Sequence, residues 1–230
     1  MENKVILKSL KHRRSKKIEK MVKITLLMLL LAFILLYFVF RFIYNSGNFT
    51  ITLDRNLYFE KGIVVYDNPY DKNYRSRIQV EIPEKFDNIS EKWHPSDIDK
   101  YEGNHNGDNY LAYSFYIENT GNDVSDYWGE IVIEDVIKNV DEAIRLRVYK
   151  NGESVTYAKL AGDGRPERGT TPFESNSSIA TYHVSDFKPG QIDKYTIVLW
   201  LEGNDPECND NILGGEIKLL MEFISEFVEN

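Results

Sequence analysis

Residues 110–119 read YLAYSFYIEN, and their alternation decides the fold. Leu111, Tyr113, Phe115 and Ile117 fall on one side of an extended chain; Ala112, Ser114, Tyr116 and Glu118 fall on the other. Successive side chains of a strand point to opposite faces, so this pattern predicts a strand that buries one face. The same period recurs downstream. In AIRLRVYK, Ile144, Leu146 and Val148 oppose Arg145, Arg147 and Tyr149. In YTIVLWLE, Tyr195, Ile197, Leu199 and Leu201 oppose Thr196, Val198, Trp200 and Glu202. RIQVEIP carries Ile78, Val80 and Ile82 in the same rhythm, and EIKLLMEF, from Glu216 to Phe223, reads as a final strand. Asn151-Gly152 between RLRVYK and ESVTYAK is the signature of a two-residue hairpin. Turn clusters NTGND, GDGRPERG, KPG and EGNDPECND punctuate the rest. The expected fold is an all-β domain of roughly eight or nine short strands, a jelly-roll or immunoglobulin-like antiparallel β-sandwich.

The start of the chain is of another kind. ITLLMLLLAFILLYFVF, Ile24 to Phe40, has Thr25 as its only non-apolar side chain. At about 1.5 Å per residue, a helix through Tyr44 reaches the roughly 30 Å of a bilayer core. Arg41 can snorkel to headgroups, and Tyr37 and Tyr44 suit the interface. The apolar run is longer than a signal-peptide core and no A-x-A-like cleavage site follows it, so an uncleaved signal anchor is expected. Nine Lys/Arg precede it. The positive-inside rule then puts the N-terminus in the cytoplasm and the C-terminal domain outside, on a single-pass cell-membrane protein. The expected organisation is a basic cytoplasmic tail over 1–23, a transmembrane anchor over 24–44, a juxtamembrane linker over 45–58 and an extracellular sandwich over 59–230.

Charge follows the same division. Residues 1–44 hold ten Lys/Arg and two Asp/Glu; the chain totals of 28 and 36 leave 18 and 34 for residues 45–230, a net of −16. So acidic a domain is not built to neutralise phosphates, which excludes nucleic acid as a partner. A single cysteine excludes an intrachain disulfide, and low cysteine use outside a membrane fits a Gram-positive bacterial protein.

Chemistry-bearing motifs are few. Glu202, Asp205, Glu207 and Asp210 crowd the connection WLEGNDPECNDN around Cys208. Clustered hard oxygen donors are what calcium needs, although the spacing is not that of an EF-hand. Gly203, Asn204, Asp205 and Pro206 are equally the residues of a turn that caps a strand. The irregular stretch 84–108 is long for a loop, and long loops are often functional. It holds Trp93 and His94 as a candidate partner-binding anchor, and His94 and His105 as candidate ligands of a metal-dependent hydrolase. No H-E-x-x-H, G-x-S-x-G or glycine-rich phosphate loop is present.

Several stretches together, YLAYSFYIENTGND, RLRVYKNG, KPGQIDKYTIVLWLEGNDPE and GGEIKLLMEF behind an apolar N-terminal segment, resemble the TasA/camelysin group of exported β-sandwich proteins of Gram-positive bacteria and their membrane-anchored relatives. The resemblance covers roughly residues 105–225 and rests on Asn119 to Gly121, Pro189-Gly190 and Leu201 to Gly203. It implies a jelly-roll fold and a cell-surface or matrix role. Two features depart from the group. Its fibre formers are cleaved after the apolar segment, and no cleavage site is evident here. Its camelysin branch is classed as peptidase, and no catalytic motif of this chain matches one. The expected function is therefore a non-catalytic, membrane-anchored surface protein that binds a protein partner or associates with itself through strand edges or the long loop. A metal-dependent, camelysin-like hydrolase or peptidase is the alternative, and a receptor for a small ligand between the two sheets is a third.

Overall fold

A computed structural model describes residues 2–44, 49–83 and 85–225, with side chains described over 16–40, 49–83 and 85–225. The chain divides into two compact units, residues 1–46 and 47–230. The first is a helix, α1 (Glu2–Tyr44). Its Lys16–Phe40 stretch is long and apolar enough to cross a membrane, and its side chains are exposed. The side chains of Arg41 and Tyr44, and those of the basic residues up to Arg14, lie outside the described residues.

The second unit is all-β. Its strands are β1 (Phe49–Leu53), β2 (Ile63–Tyr66), β3 (Arg77–Val80), β4 (Gly103–Asn104), β5 (Tyr110–Asn119), β6 (Ser125–Ile137), β7 (Ile144–Lys150), β8 (Glu153–Ala158), β9 (Thr171–Pro172), β10 (Ser178–Phe187), β11 (Ile192–Leu201) and β12 (Glu216–Ile224). One sheet runs β10-β6-β12-β1-β3. The other runs β2-β5-β11-β7-β8-β9, with β4 also on β5. The hairpin at Asn151-Gly152 joins β7 to β8, and both turn residues take positive φ, as the sequence predicts.

Two expectations are corrected. The segment 45–58, read as a linker, contains β1, which lies between β12 and the edge strand β3 with Phe49, Ile51 and Leu53 buried. FTITL carries the period of two, but five residues beside a long apolar helix are a weak signal. The sheets are also mixed rather than purely antiparallel. β1 pairs with β12 in parallel, as β8 does with β9. Periodicity tells which face a side chain takes and says nothing of the neighbour's direction.

The inner faces of the two sheets make one core. β5 contributes Leu111, Tyr113, Phe115 and Ile117; β11 contributes Tyr195, Ile197 and Leu199; β1, β6 and β12 answer from the other sheet with Ile51, Ile131 and Met221. A second, smaller core lies on the outer face of β5 and β11, where Ile89 and Ile98 cover Ala112, Val198 and Trp200. The part of the long stretch from Ile89 to Ile98 thus covers that outer face. Outer-face residues Ala112, Ser114, Thr196, Val198 and Trp200 of β5 and β11 are accordingly buried, where an uncovered sheet face would meet water.

Gly129 of β6 sits opposite Tyr182 of β10, and a Cβ there would lie 2.2 Å from the tyrosine ring. Replacing Gly129 with Ala is expected to cost about 1–3 kcal/mol in urea unfolding, as overpacking does. Tyr182→Leu in the same chain should remove part of that cost, because contacting residues are not additive. Strict additivity would show that the ring is not what the glycine accommodates.

Candidate functional site

The connection from β11 to β12 carries the chain from one sheet to the other, and most of the sequence-predicted residues lie on it. Its first part is held to the outer face of β7. There Arg145 alternates outward and is buried, opposite Trp200 in the strand register. A buried guanidinium needs anionic partners. Asp205 supplies one at 2.5 Å and Glu167, from the β8–β9 connection, a second at 3.3 Å. The guanidinium also donates to the backbone carbonyl of Ile144 at 3.1 Å.

Glu207 joins this cluster. Glu167, Asp205 and Glu207 each bring a carboxylate oxygen within 4.8 Å of the others. Contact with the Asp205 carboxylate raises the Glu207 pKa, while Glu207 accepts the amide of Gly162 at 3.0 Å. The other two acids of the sequence set lie apart from it. Glu202 takes the indole Nε1 of Trp200 at 3.0 Å and the amide of Glu91 at 3.2 Å. Burial pushes its carboxyl up, but these and further hydrogen bonds from Asn204 outweigh burial and lower its pKa. Asp210 opens a short 3-10 turn. Glu167, thirty-eight residues before Asp205, is the member that sequence proximity could not supply.

His94 and Trp93 part company. Trp93 is 73% exposed. His94 turns inward, its ring 4.6 Å from that of Trp200 and 4.9 Å from that of Tyr110. Burial, aided by the nearby Arg147 charge, lowers its pKa to about 4. Arg147 itself lies over the Trp200 ring and pairs with Glu91 at 2.7 Å. His105 bonds through Nδ1 to the carbonyl of Gly103 at 2.9 Å, and burial lowers its pKa too. Among the described residues neither histidine belongs to a convergent group of three or more His, Cys, Asp or Glu side chains. His183 lies on β10 and stacks on Trp128.

Past Arg145 the connection crosses the end of the sandwich and borders a pocket of about 500 Å³ between the sheets. Ile144 and Leu199 line it from one sheet, Ile217 from the other, with Ile82 and Phe86 beyond β3 and Ile212 on the connection. Cys208, Asn209, Asp210 and Glu216 add polar groups.

No family model and no curated protein matches the chain. Among solved structures, a β-glucosidase from Kluyveromyces marxianus in complex with glucose is similar at 13% identity and a TM-score of 0.27 over 72% of this chain and 15% of that one. AvmM, titled as catalysing macrocyclization in alchivemycin A biosynthesis, is similar at 7% identity and a TM-score of 0.23, over 53% of this chain and 82% of that one. This chain spans about 15% of the β-glucosidase's length, and likeness at these scores carries no argument about function.

Arg145→Met is expected to destabilise the domain by about 3–5 kcal/mol, since it leaves buried carboxylates without their cation. Millimolar calcium should raise the melting temperature of that variant and leave the parent chain unmoved, because in the parent Arg145 holds the place of the ion. A calcium-linked rise in the parent would instead make the loop a metal site. The second prediction concerns pH. Folded His94 titrates at about 4, against an ordinary value of about 6.5. Between those values the unfolded chain binds a proton that the folded chain refuses, so stability falls as pH drops from about 6.5 towards 4. His94→Phe keeps an aromatic ring beside Trp200 and should flatten that part of the melting-temperature profile. An unchanged slope would assign it to other groups.

Proposed function

We propose that this chain is a membrane-anchored, non-catalytic binding protein, its N-terminus cytoplasmic and its acidic β-sandwich on the outside. The observation that carries this reading is the Lys16–Phe40 helix, apolar, exposed and preceded by a run of basic residues, in front of a separately folded β unit. The charge division supports the orientation, since basic residues resist translocation and the acidic domain carries the net −16 of residues 45–230. A binding role is supported by how the charged groups of the outer face are used. Arg145 is taken up by Asp205 and Glu167, and Arg147 pairs with Glu91. Among the described residues, the exposed Trp93, edge strands such as β10 and β3 and the pocket at the end of the sandwich are open to a partner. Edge strands are natural templates for strand addition, so a partner strand or a second copy of the chain fits there. The resemblance to exported surface sandwiches agrees with this.

A fusion of alkaline phosphatase to the C-terminus, expressed in a bacterial host, tests the arrangement. The expected result is an active phosphatase that stays with the membrane after carbonate extraction. A carbonate-soluble chain would overturn the anchor, and an inactive fusion in the membrane would overturn the orientation.

A further inference from the structure

We propose that the pocket at the end of the sandwich binds the aliphatic chain of an amphiphile whose headgroup is neutral or cationic. The proposal deepens the binding role above and rests on the anchored reading only for the source of the amphiphile.

The walls specify an apolar occupant. Ile144 and Leu199 are almost fully buried members of the main core, and both line the pocket. Whatever enters therefore lies on the core itself, between the two sheets. Ile82, Phe86, Ile212 and Ile217 are partly buried side chains packed on that core. They complete an apolar wall, and Asn88, Asn209 and the charged side chains add polar groups to the lining. A volume of about 500 Å³ is that of a site for a small molecule, and too small for a folded partner. An apolar site of this size gains from an apolar chain and gives a polar molecule little to bond with.

The mouth specifies the other end of the ligand. Among the described residues Lys85, Asp87, Asp210 and Glu216 line it, three carboxylates against one ammonium. All four are exposed. Their summed field, in a domain already strongly acidic, favours a neutral or positive headgroup over an anionic one. Leu213 stands at the same rim, 67% exposed, an apolar side chain held in water beside an apolar opening.

Cys208 is the only cysteine of the chain and lies half-exposed on the pocket wall, which makes it a reporter of occupancy. The full chain, held in amphipol without lipid, would be alkylated with N-ethylmaleimide and the rate at Cys208 followed by mass spectrometry. Decyltrimethylammonium and decanol, below their micellar or solubility limits, should slow alkylation about tenfold when in large excess over their dissociation constants, as expected for a site that is blocked when filled. Decanoate should protect markedly less. Ile212→Trp, which fills the pocket, should slow alkylation without any ligand and abolish further protection; Ile217→Trp does the same service if the first variant melts early. The same measurement in phosphatidylcholine nanodiscs assigns the source. Protection there without added amphiphile identifies a bilayer lipid, and protection only on addition identifies a free amphiphile. A rate that no amphiphile and no disc alters overturns the proposal, as does protection that persists in the filled variant. Equal protection by decanoate overturns the headgroup assignment. Because the reporter is read on purified protein, these results stand apart from the phosphatase fusion: a soluble or inverted chain would sink the anchor and leave the pocket untouched.

Discussion

A guanidinium buried on a β-strand cannot be left alone. Taking Arg145 out of water costs several kcal/mol unless anions meet it with good geometry. Two carboxylates do so, from segments that follow β8 and β11. That one requirement ties three remote pieces of chain, β7, the β8–β9 connection and the β11–β12 connection, to a single point on the outer face of the sheet. A buried ion pair is weak evidence for added stability, since apolar groups of the same shape can do as well. Its effect here is on geometry. It fixes where the β11–β12 connection starts, and so where that connection crosses from one sheet to the other.

The crossing has consequences for the whole end of the domain. Once Asp205 is pinned, the chain runs through Cys208 and the turn at Asp210–Ile212 before it can enter β12 at Glu216. That path borders the gap between the sheets without filling it. Sandwich ends are ordinarily closed by loops carrying apolar side chains inward. Here Ile212 turns in while Leu213 stays in solvent, and the gap persists as a pocket. On the opposite side of the same sheet position, Glu202 caps Trp200 and receives the amide of Glu91, which seats the covering segment from Ile89 to Ile98. One connection therefore organises both the outer cover and the inner pocket.

The alternation of β5, β7, β11 and β12 was legible from residue identity alone, because period two follows from backbone geometry and needs no partner. So was the hairpin at Asn151-Gly152, where the turn itself demands positive φ. The motifs behind the family resemblance prove to be bolts of the fold. Asn119 donates to the carbonyls of Asp123 and Phe187 and accepts from Gly121. Leu201 and Gly203 exchange backbone hydrogen bonds with Ile89. The strand β1 was overlooked because its signal is short and borders an apolar helix. The acidic loop was legible as a cluster of carboxylates, but its cation was not. Arg145 is sixty residues away and looks, in its strand, like any outward-facing residue. The two neighbours Trp93 and His94 were indistinguishable in sequence, and only the three-dimensional position of Trp200 separates the exposed ring from the covered one. A pocket is a gap between elements, and no single segment encodes it.

Two further sets of buried polar groups follow the rule seen at Arg145. At the other end of β11, Asp193 is buried and receives the hydroxyl of Tyr127 at 2.6 Å, the amide of Asn151 at 2.9 Å and the ammonium of Lys150 at 3.1 Å. Burial, and after it that carboxylate, push the Tyr127 phenol far above its ordinary range. On the outer face, the buried hydroxyls of Ser114 and Thr196 satisfy each other at 2.6 Å. These groups are consumed in holding strands together, and a group so committed must break a structural contact before it can serve a ligand or a reaction. The apolar side chains on the pocket wall carry no such commitment. The physical asymmetry is local: Arg145 and Asp193 are spent on the fold, while Ile144, Leu199, Ile212 and Ile217 line a gap and have no hydrogen bond to give up.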